Sequence, residues 1–202
     1  MKTLLILAAL VLVAGGALFF FAGCASKQAP LPTPERVDLP RFMGTWYVLG
    51  YTPLGVDKAA HNAIEHYHLA EGGTIETTYQ FRQGATDGPL KTLTPVGRVY
   101  DQTSNAEWRM QFIWPFQADY FIMDLSADYQ RTIIAHPNRK YAWIMARTPE
   151  ISDAHYQEML AKLVAEGFDR EVILKVPHDW SQEAKRIDLI REAGDSGRLV
   201  VE

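Results

Sequence analysis

Few side chains in this 202-residue chain are of a kind that could carry out covalent chemistry. It has one thiol, Cys24, so no disulfide can form within the chain. His66 and His68 fall at i and i+2 on one strand face, with His61 close by. Two imidazoles on one face begin a metal site, but no cysteine and no His-Glu-x-x-His spacing completes it. Solvent-facing or hydrogen-bonded histidines are expected, and no metal. A serine nucleophile would want a Gly-x-Ser-x-Gly elbow, which the sequence lacks, and no pair of carboxylates falls on one face for acid–base work. Asp124, inside an apolar run, is expected to face outward, because burying it unpaired would be costly. No catalytic role and no cofactor is therefore expected. What the chain has in quantity is aromatic and aliphatic side chains, whose chemistry is reversible apolar binding.

The formal net charge is −4 and no basic stripe runs through the sequence, which argues against nucleic acid as a partner. After Met1 and Lys2 comes an uncharged run, Leu4 to Ala22, long enough to span a bilayer if it were retained. Its ending, Ala22-Gly23-Cys24, resembles the bacterial lipoprotein signal, in which the cysteine sulfur is acylated and the chain is cut just before it. That resemblance implies a signal peptide over residues 1–23 and a palmitate-type anchor on Cys24. With Ala25 rather than aspartate next, it implies the bacterial outer membrane, facing the periplasm. Pro30, Pro32 and Pro34 exclude helix and central strand, so residues 24–37 read as a lipidated tether.

From Thr45 onward the chain gives short runs rich in β-branched and aromatic residues, separated by turn chemistry. The runs are Thr45–Thr52, Ala63–Leu69, Thr74–Phe81, Leu93–Tyr100, Glu107–Ile113, Tyr120–Leu125, Arg131–His136 and Tyr141–Arg147. Within them one face is apolar: Trp108, Met110 and Phe112 alternate with Arg109 and Gln111. Such spacing suggests a sandwich or a barrel, and eight such strands can satisfy their apolar faces by closing into an antiparallel up-and-down barrel, which also removes the edges. After Pro149 the period changes. Ser152 caps a helix with Tyr156, Met159, Leu160, Leu163 and Val164 on one stripe, Gly167 ends it, and Arg170–Val176 reads as a final strand. Residues 38–176 form the barrel domain, and 177–202 are a C-terminal extension with a weak helical pattern around Ile187 and Ile190.

Eight strands, a helix and a strand, opened by Gly44-Thr45-Trp46-Tyr47 and carrying Tyr120 to Gln130 and Tyr141 to Ser152, resemble the lipocalin fold. The group it looks most like is the bacterial outer-membrane lipoproteins related to apolipoprotein D. The resemblance implies that Trp46 plugs the closed end of the barrel, that Arg147 lies across its indole, and that Gly44 serves the turn into the strand. It also implies the ligand class: fatty acids or lysophospholipids, stored or transported beside the membrane. The cup wall is then expected from Tyr67, Tyr79, Phe81, Val99, Trp108, Met110, Phe112, Tyr141, Trp143 and Met145. Trp114-Pro115-Phe116 sits at a strand turn, where it would meet a partner subunit of a homodimer, meet the bilayer surface, or pack as a corner. The rival functions are a structural envelope lipoprotein with a filled barrel and a lipid-modifying enzyme.

Overall fold

A computed structural model describes residues 28–196 and Leu199. The expected signal segment and Cys24 lie outside the described residues. A short helix, α1 (Leu39–Phe42), is capped by the Asp38 carboxylate accepting from the Arg41 amide. The strands follow as β1 (Gly44–Tyr51), β2 (Ala60–Leu69), β3 (Thr74–Gln83), β4 (Leu90–Leu93), β5 (Val96–Val99), β6 (Glu107–Ile113), β7 (Phe116–Leu125), β8 (Arg131–Ala135) and β9 (Ala142–Ala146). Successive strands pair antiparallel, except that β4 and β5 both pair with β3, and β1 pairs with β9, so the sheet closes on itself. The register is fixed by which residues are apolar: a one-residue slip would turn Trp46, Tyr67 and Trp108 to the outside.

The run Leu93–Tyr100, expected as one strand, is two. Pro95 has no N–H to give to the ladder, so the strand breaks at Thr94-Pro95. Strand β4 pairs with the upper half of β3 and β5 with its lower half. The Pro95 carbonyl still accepts from Thr77 N–H at 3.0 Å, and the barrel keeps eight positions around its axis. Strand β7 begins at Phe116 rather than Tyr120, because the hairpin turn lies at Trp114-Pro115 itself.

Helix α2 (Asp153–Ala165) starts at Ser152, whose hydroxyl accepts from His155 N–H at 3.2 Å. Tyr156, Met159, Leu160 and Leu163 bury themselves against the outer face of the wall with Leu49, Ile133 and Ile144. Val164, expected in that stripe, is exposed, lying just past the edge of the contact. Gly50 permits the approach: a Cβ there would come within 2.5 Å of the Tyr156 hydroxyl oxygen. The expected strand Arg170–Val176 is shorter. Arg170–Val172 form a 3₁₀ turn started by the Asp169 carboxylate, and only β10 (Leu174–Lys175) pairs with β1.

The folded body takes in more chain than residues 38–176. Leu31 and Val37 are buried, and Val37 N–H donates to Ser104 at 2.7 Å. At the other end, α3 (Ala184–Ser196) lies on the outside of the barrel, where Tyr47, Ile64, Trp180, Leu189, Ile190, Ala193 and Leu199 cluster.

Candidate ligand cup and its floor

At the closed end Gly44 holds φ at +89°, a conformation that favours glycine; Arg147 Nη1 would lie at an ordinary 3.5 Å from an added Cβ, so torsion rather than space selects the residue. Trp46 is fully buried and donates its indole N–H to the Phe42 carbonyl at 2.9 Å. The Arg147 guanidinium lies 3.7 Å from the centre of that indole. It donates to the carbonyls of Thr45, Arg41, Phe42 and Met43 at 2.8 to 2.9 Å. Burial pushes Arg147 down to about 10, still cationic at neutral pH. Four carbonyl dipoles and one ring face take the place of a counter-ion, and the result is a plate under the barrel.

Above the plate the barrel is filled. Tyr67, Tyr79, Phe81, Trp108, Met110 and Met145 are each at most 2% exposed and pack with Phe42, Trp46 and Tyr120. The Trp108 and Tyr120 rings stack at 5.7 Å. Val99 packs against the same cluster. These seven of the ten expected wall residues are therefore core rather than cavity wall, since large aromatics at successive inward positions meet across a narrow barrel.

A carboxylic acid sits in this core. Glu65 on β2 points inward, and its Oε2 accepts from the Tyr120 hydroxyl at 3.0 Å and from the Tyr67 hydroxyl; the two hydroxyls also touch. Burial raises the Glu65 pKa, the tyrosine hydrogen bonds only partly offset this, and Asp57 adds to it. The loop joining β1 to β2 is pinned the same way. Asp57 is fully buried, its carboxylate accepting from Leu54 N–H at 2.7 Å and the Tyr79 hydroxyl at 3.2 Å, while its carbonyl takes the Tyr51 hydroxyl at 2.6 Å. Its pKa is raised too, burial being the largest cause. Neither acid was picked out from sequence; Glu65 in His-Asn-Ala-Ile-Glu-His-Tyr breaks the inward apolar rule, which was the available signal.

The cavity occupies the upper, open end of the barrel, with a volume of about 610 Å³. Its lining comes from the β1–β2 loop (Leu54, Val56), the β4–β5 break (Thr92–Pro95), the β6–β7 hairpin (Phe112, Ile113, Ala118–Tyr120) and β8–β9 (His136, Tyr141, Trp143). Of the expected wall residues it includes Phe112, Tyr141 and Trp143. Tyr120 and Trp143, 6.0 Å apart, form its base. No lysine or arginine lines it. Asp119 is held by Arg109 at 3.0 Å, and burial pulls the His136 pKa down despite that acid, so His136 is neutral at pH 7. The space suits an apolar body with an uncharged or water-facing polar end.

The other marked residues fall outside the cup. His66 is buried on the outer face, its Nδ1 2.8 Å from the Thr45 hydroxyl, and His61 meets the Ala59 carbonyl at 3.0 Å. The described residues contain no cluster of His, Cys, Asp and Glu suited to a metal. Asp124 faces outward and pairs with Lys162 of α2 at 2.9 Å.

A third buried acid lies outside the barrel, where α3 docks. Glu183, 3% exposed, receives Arg82 in two bonds at 2.9 and 3.0 Å, Arg186 at 3.1 Å and the Asn62 amide at 3.2 Å. Arg186, 5% exposed, reaches on to the Asn62 carbonyl at 2.7 Å and stacks over Trp180 at 4.9 Å.

With this geometry in place, the comparisons with known proteins are direct. Residues 37–178 match the family model of the lipocalin-like domain. The outer membrane lipoprotein Blc of Escherichia coli is 29% identical over 163 residues, covering 79% of this chain and 90% of its own. Mouse apolipoprotein D is 25% identical over 176 residues, covering 82% and 87%. The structure of insecticyanin from the tobacco hornworm superposes with a TM-score of 0.58 at 16% identity, over 77% of this chain and 87% of that one. A family model spanning the barrel from entry segment to β10, over a closed barrel with an outer helix, makes this chain a member of the lipocalin family.

Proposed function

We propose that the protein is a lipid carrier of the bacterial envelope, held at the outer membrane through acylated Cys24 and facing the periplasm, and that its cup takes the acyl chain of a fatty acid or lysophospholipid. The observation that carries the ligand reading is the cation-free cavity of about 610 Å³ among Leu54, Val56, Phe112, Tyr141 and Trp143, closed below by Tyr120. That volume is ordinary for a small-molecule site, and each methylene buried in it contributes about 0.8 kcal/mol. Because the lower barrel is filled, the chain enters only the upper half and the polar head stays at the mouth. The anchor is supported by the sequence at Ala22-Gly23-Cys24 and by relatives named as outer membrane lipoproteins.

The test is to titrate the chain lacking residues 1–24 with a fluorescent fatty acid and with a lysophospholipid, following tryptophan emission. Saturable binding that Trp143→Ala weakens at least tenfold is expected. No saturable binding of either would sink the carrier reading. It would favour the filled-barrel envelope protein, for which the packing of Tyr67, Phe81 and Trp108 is the specific support. Mass analysis of the mature chain for a diacylated or triacylated Cys24 tests the anchor separately.

A further inference from the structure

The rim of the cup carries apolar surface that the cup itself does not use. At the β6–β7 hairpin, Ile113 is 73% exposed, Trp114 81% and Phe116 75%, and across the mouth Val56 is 61% exposed. Four large apolar side chains on loop tips at one end are more than scattered surface hydrophobes. Three exposed lysines accompany them: Lys58 in the β1–β2 loop, Lys91 at the start of β4 and Lys140 in the β8–β9 loop. None of the three makes an ion pair found among the described residues. Of the acids on or beside these loops, Asp57 is buried and bonded to Leu54 and Tyr79, Asp119 is taken by Arg109 at 3.0 Å, and Asp87 and Glu166 remain nearer the surface. A chain of net charge −4 thus concentrates unpaired positive charge around an apolar tip.

We propose that the mouth is a docking face for an anionic bilayer surface, with Trp114 and Phe116 entering the headgroup boundary and Lys58, Lys91 and Lys140 meeting the lipid charges, so that the cup opens directly onto lipid. An apolar wedge with a basic collar is the pattern of interfacial membrane binding. A second copy of the chain fits worse, because two mouths facing each other would bring the lysine collars together. The proposed anchor at Cys24 would also keep the chain near a bilayer. The docking face does not depend on that anchor, nor on the ligand.

The test uses the chain without residues 1–24, since Leu31–Glu202 forms one compact unit. It is mixed with vesicles of phosphatidylcholine alone, or of phosphatidylcholine with phosphatidylglycerol, and sedimented. Wild type should pellet with the anionic vesicles, and the double variant W114S/F116S should bind about tenfold more weakly. The triple variant K58Q/K91Q/K140Q should lose its preference for the anionic vesicles while keeping the residual binding to the neutral ones. Brominated acyl chains should quench emission in wild type, and W114F should remove that quenching. Neither Trp114 nor Phe116 lines the cavity, so W114S/F116S should still bind a soluble fluorescent fatty acid. Wild type left in the supernatant, or W114S/F116S pelleting as well as wild type, overturns the proposal. So does a concentration-dependent dimer that W114S/F116S abolishes, with no vesicle binding. Vesicle binding without fatty-acid binding would sink the cup reading and leave the docking face standing.

Discussion

Two glutamates are both hidden from solvent on opposite sides of one barrel wall, and their pKa values are shifted in opposite directions. Glu65 inside is 6% exposed and Glu183 outside 3%. Burial raises both. Around Glu65 only tyrosine hydroxyls answer it, and the pKa ends high. Around Glu183, hydrogen bonds from Arg82 and Asn62 and the charge of Arg186 overcome burial, and the pKa ends low. Depth of burial and a facing cation together decide the charge of a carboxyl. Inside a ligand barrel a fixed cation would have to be desolvated, whereas at this helix-to-wall contact Arg186 is buried but Arg82 keeps part of its stem near water. Arg82 is 26% exposed.

The comparison breaks most readily on the outer side. Glu183→Gln should cost roughly 2 to 4 kcal/mol, toward the lower end for a buried pair because Arg82 is partly open to water. It leaves Arg186, already pushed down to about 10 by burial, with the Asn62 carbonyl and Gln80 as its remaining partners. Chemical denaturation should show the loss, with hydrogen exchange in α3 accelerated first. An unchanged midpoint would mean that α3 docks through Trp180, Leu189 and Ala193 alone.

This outer network was the least legible part of the sequence. Around Ile187 and Ile190 the pattern reads as a weak amphipathic helix, because the buried residues are charged ones, Glu183 and Arg186. Their partners Asn62, Gln80 and Arg82 lie more than 100 positions away. The floor was legible because Trp46 and Arg147 are distinctive residues at fixed places in the strand order. The cup was half legible. Alternation says which side chains turn inward, but depth along the axis is a matter of volume, so Tyr67, Trp108 and Met110 read as wall and are core. The break at Pro95 carried its own signal, the missing N–H, and strand averaging hid it.

The pH dependence sharpens the contrast. Glu183 has its folded pKa depressed, so its contribution is present above the unfolded carboxylate value near 4.3 and is lost as pH falls through the folded value. Glu65 has its folded pKa raised. The folded state keeps a proton that the unfolded chain has released, so stability falls as pH climbs from about 4.3 to the raised value and is flat beyond it. Each pH unit inside that window is worth up to about 1.4 kcal/mol. Glu65→Gln should therefore lessen the decline on the neutral side, leaving the part due to Asp57, whose folded pKa is raised as well, and gain on wild type as pH rises, while Glu183→Gln should flatten the acid limb. Equal slopes in E65Q and wild type between pH 5 and 8 would show Glu65 to be ionised in the fold.

The smallest change tests whether the tyrosines set the inner value. Tyr120→Phe keeps the ring that stacks on Trp108 at 5.7 Å and removes the hydroxyl bonded to Glu65 at 3.0 Å. The net cost should be about 0.5 to 1.5 kcal/mol on the acid side of the ordinary carboxylate value, where Glu65 is protonated and Tyr67 still bonds to it. Because that hydroxyl favours the ionised form, its loss should push the Glu65 pKa higher and extend the window of falling stability upward in pH. In the double variant E65Q/Y120F the extension should vanish, since no proton remains to be linked. A Y120F profile parallel to wild type, shifted only by a constant, would assign the raised pKa to burial alone and leave the hydroxyl a packing role.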